Sequence, residues 1–304
     1  GNTTSEPAPQ EVDTTQTSVA QEPGSYKWPD NLYVETRDMA AASFLAYSFA
    51  YILDVARKAG LEGLQIDSAG HASKQNSSRV LQRSFTPEEV IKIIETNRDK
   101  LREYYPDEFG ENNPVLMQSL QVLKDRVAAS GKNRPLTLAE FDDKHQDKEM
   151  VYGVTKDDIN KRITLCFRGS DNQLAKDTNW STNLDIAKTK ADVPEVIKDK
   201  VSGSAIWFHT GFYNYIFNAT ATETDAPEKR KYDEILEDIK PLLAANPGYK
   251  LYVTGHSLGA ALSTMVAFYL ACDEALPKPI TCLNFASPRV GDGMYLEAST
   301  ALEA

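Results

Sequence analysis

Nine residues, Thr254-Gly255-His256-Ser257-Leu258-Gly259-Ala260-Ala261-Leu262, constrain this chain more than any other stretch. They have the form G-x-S-x-G. The residues before them, Leu251 to Thr254, read as a short buried strand. Ala260 to Ala271 follows as a helix with apolar residues nearly all round, which suits a buried one. A strand that becomes a helix within two residues forces its corner residue into a strained backbone. Glycines two before and two after the serine let neighbouring elements approach without a Cβ clash. The Ser257 hydroxyl should then project from the top of a sheet, at a helix N-terminus whose dipole favours developing negative charge.

Composition narrows the partners. A net charge of -11 and a pI near 5.0 argue against nucleic acid, because phosphate binding needs a basic face. Lipid remains open, since an acidic protein can meet an interface through an apolar patch. The longest apolar stretch, Met39 to Ala56, carries Asp54 and many small or hydroxylated residues. It reads as a packed helix, so no stable membrane span is expected. Cys166, Cys272 and Cys282 fall in segments that read as core, and offer neither a disulfide framework nor a metal site. The chain begins with Gly and shows no signal-peptide pattern, and N-x-[ST] sequons at Asn2, Asn76, Asn179 and Asn218 are weak signals. A secreted or lumenal setting is favoured over a cytoplasmic one, without being fixed.

Along the chain, residues 1–26 are polar and read as a disordered tail. Residues 27–149 read as a helical region. One helix is expected over 38–59, ending at Gly60, followed by loop over 61–85. A second starts at Thr86-Pro87-Glu88-Glu89, with Thr86 as N-cap and Glu89 closing a capping box, and runs to about Tyr104. A third should cover 114–129. From residue 150 the texture changes to β-rich runs at 151–154 and 163–167 joined by a hairpin, then a helix over 228–245, the strand before Ser257, the apolar helix, and a strand at 280–285. That alternation is the signature of an α/β fold with a mostly parallel sheet.

A serine hydroxyl needs a base to take its proton and donors to hold the oxyanion formed on an attacked carbonyl. The Leu258 N–H is one donor, and the second should come from a loop after an earlier strand. Phe167-Arg168-Gly169-Ser170 sits in that place. With it come Asn179-Trp180-Ser181, His209-Thr210-Gly211-Phe212 and Ala286-Ser287-Pro288-Arg289-Val290-Gly291. Together with the G-x-S-x-G segment, in this order, they resemble the class 3 lipase family, the fungal-type triacylglycerol lipases of the α/β-hydrolase superfamily. The resemblance runs from about Met150 to Gly291.

The resemblance implies an α/β-hydrolase core over 150–304 and a serine hydrolase of lipase or esterase type. It would cleave acylglycerols or related lipids through an acyl-enzyme at Ser257, at an interface. It also implies an oxyanion hole formed by Ser170 and Leu258, and a lid or substrate-binding segment around Trp180. No cofactor or metal is implied, and the oligomeric state is open. His209 reads as a structural turn residue, His256 should point away from the serine, and Arg168 and Arg289 should make structural ion pairs.

The pattern breaks at the base. In this family the order is serine, acid, histidine, and no histidine follows His256. Asp273 and Asp292 do not occupy the acid's place. Two expectations follow: a core that is C-terminally incomplete, with its acid and histidine downstream of residue 304, or a non-catalytic lipid-binding or regulatory module without a full triad.

Overall fold

A computed structural model of the chain describes residues 31–59, 86–110, 114–130, 136–143, 149–170, 187–220 and 229–303. The polar tail, the 61–85 stretch and Trp180 lie outside them.

The first helix, α1 (Leu32–Ala59), starts six residues before the expected point. Thr86 caps α2 (Pro87–Thr96) with both halves of a capping box: its side chain accepts from the Glu89 N–H, and the Glu89 carboxylate accepts from the Thr86 N–H at 2.9 Å. The expected single helix breaks at Asn97, so that α3 (Arg98–Tyr104) and the single turn α4 (Pro106–Phe109) follow, and then α5 (Pro114–Ser130). The region 27–149 is not wholly helical, however. Leu136–Asp142 is a strand, β1.

The strand β1 pairs antiparallel with β2 (Tyr152–Asp157), and β2 pairs antiparallel with β3 (Arg162–Phe167) across the turn at 158–161. Next come the antiparallel hairpin β4 (Lys188–Asp192) and β5 (Ala205–His209), with a 3₁₀ segment between them, and then α6 (Thr210–Phe217). A two-residue pairing, β6 (Ala219–Thr220) with β7 (Lys229–Arg230), precedes α7 (Lys231–Ala245). The chain then runs through β8 (Lys250–His256), α8 (Leu258–Cys272), β9 (Ile280–Phe285) and α9 (Gly293–Glu303).

The main sheet has the order β1-β2-β3-β8-β9. Its β3-β8 and β8-β9 pairings are parallel and the other two antiparallel, so the sheet is mixed rather than mostly parallel. The parallel half is the half that carries Ser257.

Side chains alternate across the sheet with the two-residue period of a pleated strand. On one face Tyr152, Val154, Ile163, Leu165, Phe167, Leu251 and Val253 join Ile235 and Ile239 of α7 and Leu262, Met265 and Val266 of α8 in the larger core. Each of these α8 side chains contributes about 1.5–3 kcal/mol by leaving water. On the other face α1 packs over β3 and β8 and meets α2, α3 and α5 in a second core around Phe49, Ile52, Leu53 and Leu101. Among the described residues no helix is long and apolar enough to cross a membrane. Of the cysteines expected in the core, Cys166 is buried and Cys272 half-buried, but Cys282 is exposed on the outermost strand β9.

Candidate active site

Ser257 stands between the last residue of β8 and the first of α8 with φ 55° and ψ -123°, a conformation L residues rarely adopt. The strain is held by its surroundings. The Ser257 N–H donates to the Phe285 carbonyl of β9 at 3.0 Å, and its own carbonyl accepts from the Ala260 and Ala261 N–H groups. A serine preceding a helix ordinarily caps it with its side chain. Ser257 makes no such bond, so its hydroxyl is not committed to the helix.

The flanking glycines show why the corner closes. A Cβ on Gly255 would press into the backbone of Gly259 and come within 2.9 Å of the Ala260 nitrogen. One on Gly259 would lie 2.8 Å from the Arg168 carbonyl carbon. The start of α8 is thus in backbone contact with the Phe167-Arg168 turn.

That turn comes to the same place from β3. In the parallel register Phe167 lies opposite Gly255, so residues 168–170 leave the sheet beside the corner. A Cβ on Gly169 would fall 2.6 Å from the His256 carbonyl oxygen. Ser170, half-buried, follows directly. The structure therefore brings Ser257, the Leu258 N–H at the start of α8 and the Ser170 turn to one end of the sheet, whereas Trp180 falls outside the described residues.

Two further motifs meet each other. The His209 N–H donates to the Val290 carbonyl at 2.9 Å, and Phe208 bridges to Gly291. The His209 ring stacks on Phe212, with centroids 4.2 Å apart, and its buried Nδ1 has no hydrogen-bond partner among the described residues. In the same loop the Asp292 carboxylate accepts the Tyr295 N–H at the start of α9, and the exposed Arg289 Nε donates to the Gly291 carbonyl, with no ion pair of Arg289 among the described residues. Asp273 is paired with Lys240 at 2.9 Å.

His256 is engaged on the α1 side of the sheet. Its Nδ1 lies 3.2 Å from the Tyr47 hydroxyl, and Phe44 lies against the ring with centroids 4.8 Å apart. Burial holds the imidazole below the usual histidine pKa. Tyr47 also sits where a Cβ on Gly169 would be, so one α1 side chain touches both the serine corner and the Ser170 turn. Sequence reasoning missed Tyr47. Its separation of 209 residues from His256 leaves no local pattern to find. Among the described residues no group of three or more His, Cys, Asp or Glu side chains is placed to hold a metal ion.

A serine on a strained strand-to-helix corner of a sheet with helices on both faces defines an α/β-hydrolase. Residues 164–303 match the family described as Lipase (class 3). Over these residues the chain is similar to the class 3 lipase family. Among its relatives, the secreted mono- and diacylglycerol lipase 1 of Fusarium solani is 31% identical over 146 residues, 47% of this chain and 34% of that protein. The secreted mono- and diacylglycerol lipase A of Penicillium cyclopium is 41% identical over 148 residues, 49% of this chain and 40% of that protein. A solved structure of a mutant MDLA from Penicillium cyclopium aligns with TM-score 0.41 and 24% identity over 58% of this chain and 54% of that one. The chain thus spans well under half the length of these two lipases.

Proposed function

We propose that the protein is a serine ester hydrolase acting on acylglycerols or related acyl lipids through an acyl-enzyme at Ser257. The observation that carries this reading is the backbone of Ser257. A left-handed, uncapped serine, pinned by β9 and α8, costs stability that the fold has no structural reason to retain. In this reading the Ser257 oxygen attacks the ester carbonyl. The Leu258 N–H and the Ser170 turn stabilise the resulting oxyanion, which forms at the positive end of α8. The alcohol then leaves and water releases the acid. The segment around Trp180 serves as the lid that opens at a lipid surface.

The base and its acid partner are assigned downstream of residue 304, in the order serine, acid, histidine. His256 is held by Tyr47 and Phe44, and His209 is stacked on Phe212, which supports looking elsewhere for the base. The names of the Fusarium and Penicillium relatives support mono- and diacylglycerols as first substrates to assay, and a secreted setting.

A fluorophosphonate probe tests the reading on protein that includes the sequence downstream of residue 304. Ser257 should be labelled, and Ser257→Ala should be silent and lose roughly 10⁴-fold or more in ester hydrolysis. No labelling of the unmutated protein would leave a lipid-binding module without catalysis.

A further inference from the structure

Among the described residues three helices close on an asparagine: α2 on Asn97, α6 on Asn218 and α7 on Asn246. Two of these turn the side-chain amide back onto the helix they end. Asn97 Nδ2 donates to the Ile93 carbonyl at 2.9 Å, and Asn246 Nδ2 donates to the Leu242 carbonyl at 2.7 Å. Each amide thus serves a carbonyl in the last turn, where helical partners run out. Asn218 behaves differently. Its backbone N–H donates to the Asn214 carbonyl, but the chain then leaves the helix extended, with φ -75° and ψ 136°, and enters β6. The residue is exposed, and its side-chain amide makes no hydrogen bond among the described residues.

Asn218-Ala219-Thr220 is also a sequon, and of the four in the chain it is the one that falls within the described residues. An N-linked saccharide is bulky and hydrophilic. A folded protein that carries one must therefore keep the asparagine in water and leave its amide out of internal hydrogen bonding. Asn218 meets both demands. Asn97 and Asn246, half-buried with committed amides, meet neither, and neither begins a sequon. The Phe217 ring beside Asn218 packs on Tyr269 with centroids 4.7 Å apart. Tyr269 lies about 18 Å along α8 from its Ser257 end, so a saccharide here stands clear of the serine corner.

We propose that Asn218 is a site of N-linked glycosylation. In the transfer, Asn218 Nδ2 bonds to the anomeric carbon of an oligosaccharide carried on a polyprenyl diphosphate. The bond from that carbon to the diphosphate oxygen breaks, the lipid diphosphate leaves with the electron pair, and the amide gives up one proton. Modification at Asn218 rests on the secreted setting proposed above and not on the chemistry at Ser257.

The test uses protein secreted by a eukaryotic host that expresses the full-length gene. It is treated with peptide N-glycosidase F in H₂¹⁸O, and its tryptic peptides are sequenced by mass spectrometry. Asn218 should be recovered as ¹⁸O-labelled aspartate. Asn218→Gln and Thr220→Ala should each lose the mobility shift of one glycan, and Thr220→Ser should keep it. None of the three should alter fluorophosphonate labelling of Ser257. Secreted protein with an unmodified Asn218 would overturn the proposal, and so would a Thr220→Ala variant that retains this glycan. Protein held in the cytosol without a glycan would overturn the secreted setting as well. A glycan at Asn218 on protein that the fluorophosphonate does not label would support the proposal and count against the hydrolase reading alone.

Discussion

On one side of β3, Ile163, Leu165 and Phe167 enter the larger core, to which α7 and α8 contribute apolar side chains. On the other, Arg162, Thr164 and Cys166 look into a cavity and a set of ion pairs under α1. The same six residues serve both, because the strand turns each side chain to the opposite face from the last. The dry face presses α8 flat against the sheet and so fixes the corner at Ser257. The polar face joins the helices of the first half of the chain to that sheet. The geometry of the Ser257 corner depends on backbone contact and dense packing, whereas attachment of the additional helices adds paired charge to a second apolar core.

The sharpest break in this comparison should come at Gly259. A methyl there would meet the backbone of Phe167 and Arg168, which has no flexible end to yield. Gly259→Ala should therefore destabilise the protein by more than about 4 kcal/mol in urea unfolding. Gly293→Ala, where a Cβ meets nothing within 4 Å, should stay within about 0.5 kcal/mol of the parent. Equal effects would mean that the corner is not held by close backbone approach.

Charge and packing can then be set against each other directly. Arg162→Met leaves Asp38 without its best-buried partner and should cost about 3–5 kcal/mol. Adding Asp38→Leu removes the stranded carboxylate and should recover most of the loss, since a buried pair replaced as a unit is often nearly neutral. Leu165→Ala, on the dry face, should cost about 2–5 kcal/mol and gain nothing from either substitution.

How legible these faces were depended on how local their signals are. The corner, the β2–β3 hairpin and the Thr86 capping box are written in consecutive residues, and each could be read before any coordinate. The strand β1 could not. Its register slips between Leu138 and Glu140, so the inward set changes phase midway and Leu136, Leu138 and Phe141 never form a clean alternation. Cys282 misled because an apolar residue in a strand reads as core, while β9 is the sheet's last strand among the described residues. The Tyr47 contact to His256 and the ion pairs of Asp38 with Arg126 and Arg162 join residues that are distant in sequence. Only the folded sheet brings them together.

Acid should act on the two faces differently. Burial alone would raise the Asp157 carboxyl, but Asn160 and the Arg126 and Arg162 guanidiniums outweigh it and hold the group below the usual carboxylate range. A carboxyl with a depressed folded pKa adds stability that is complete above its unfolded pKa of about 3.9 and is lost as pH falls through the folded value. Unfolding free energy should therefore drop below about pH 4, and Asp157→Asn should flatten the profile in that window. Leu165→Ala should lower the whole curve without changing its slope there. A profile that is unchanged in Asp157→Asn would mean that the polar face is not held by this carboxylate.

The smallest effect belongs to the first turn of α2, on the helical side. Thr86→Ala removes the side-chain acceptor for the Glu89 N–H and should cost about 1 kcal/mol. Because α2 lines the cavity through Pro87, Val90 and Ile94, its loosening should be felt there first. Amide exchange should rise in α2 and in the facing turns of α5, while the buried amides of β8 and α8 keep their protection. Faster exchange that spread evenly to α8 would show the two faces to be one cooperative unit, and the contrast between them would then be one of composition only.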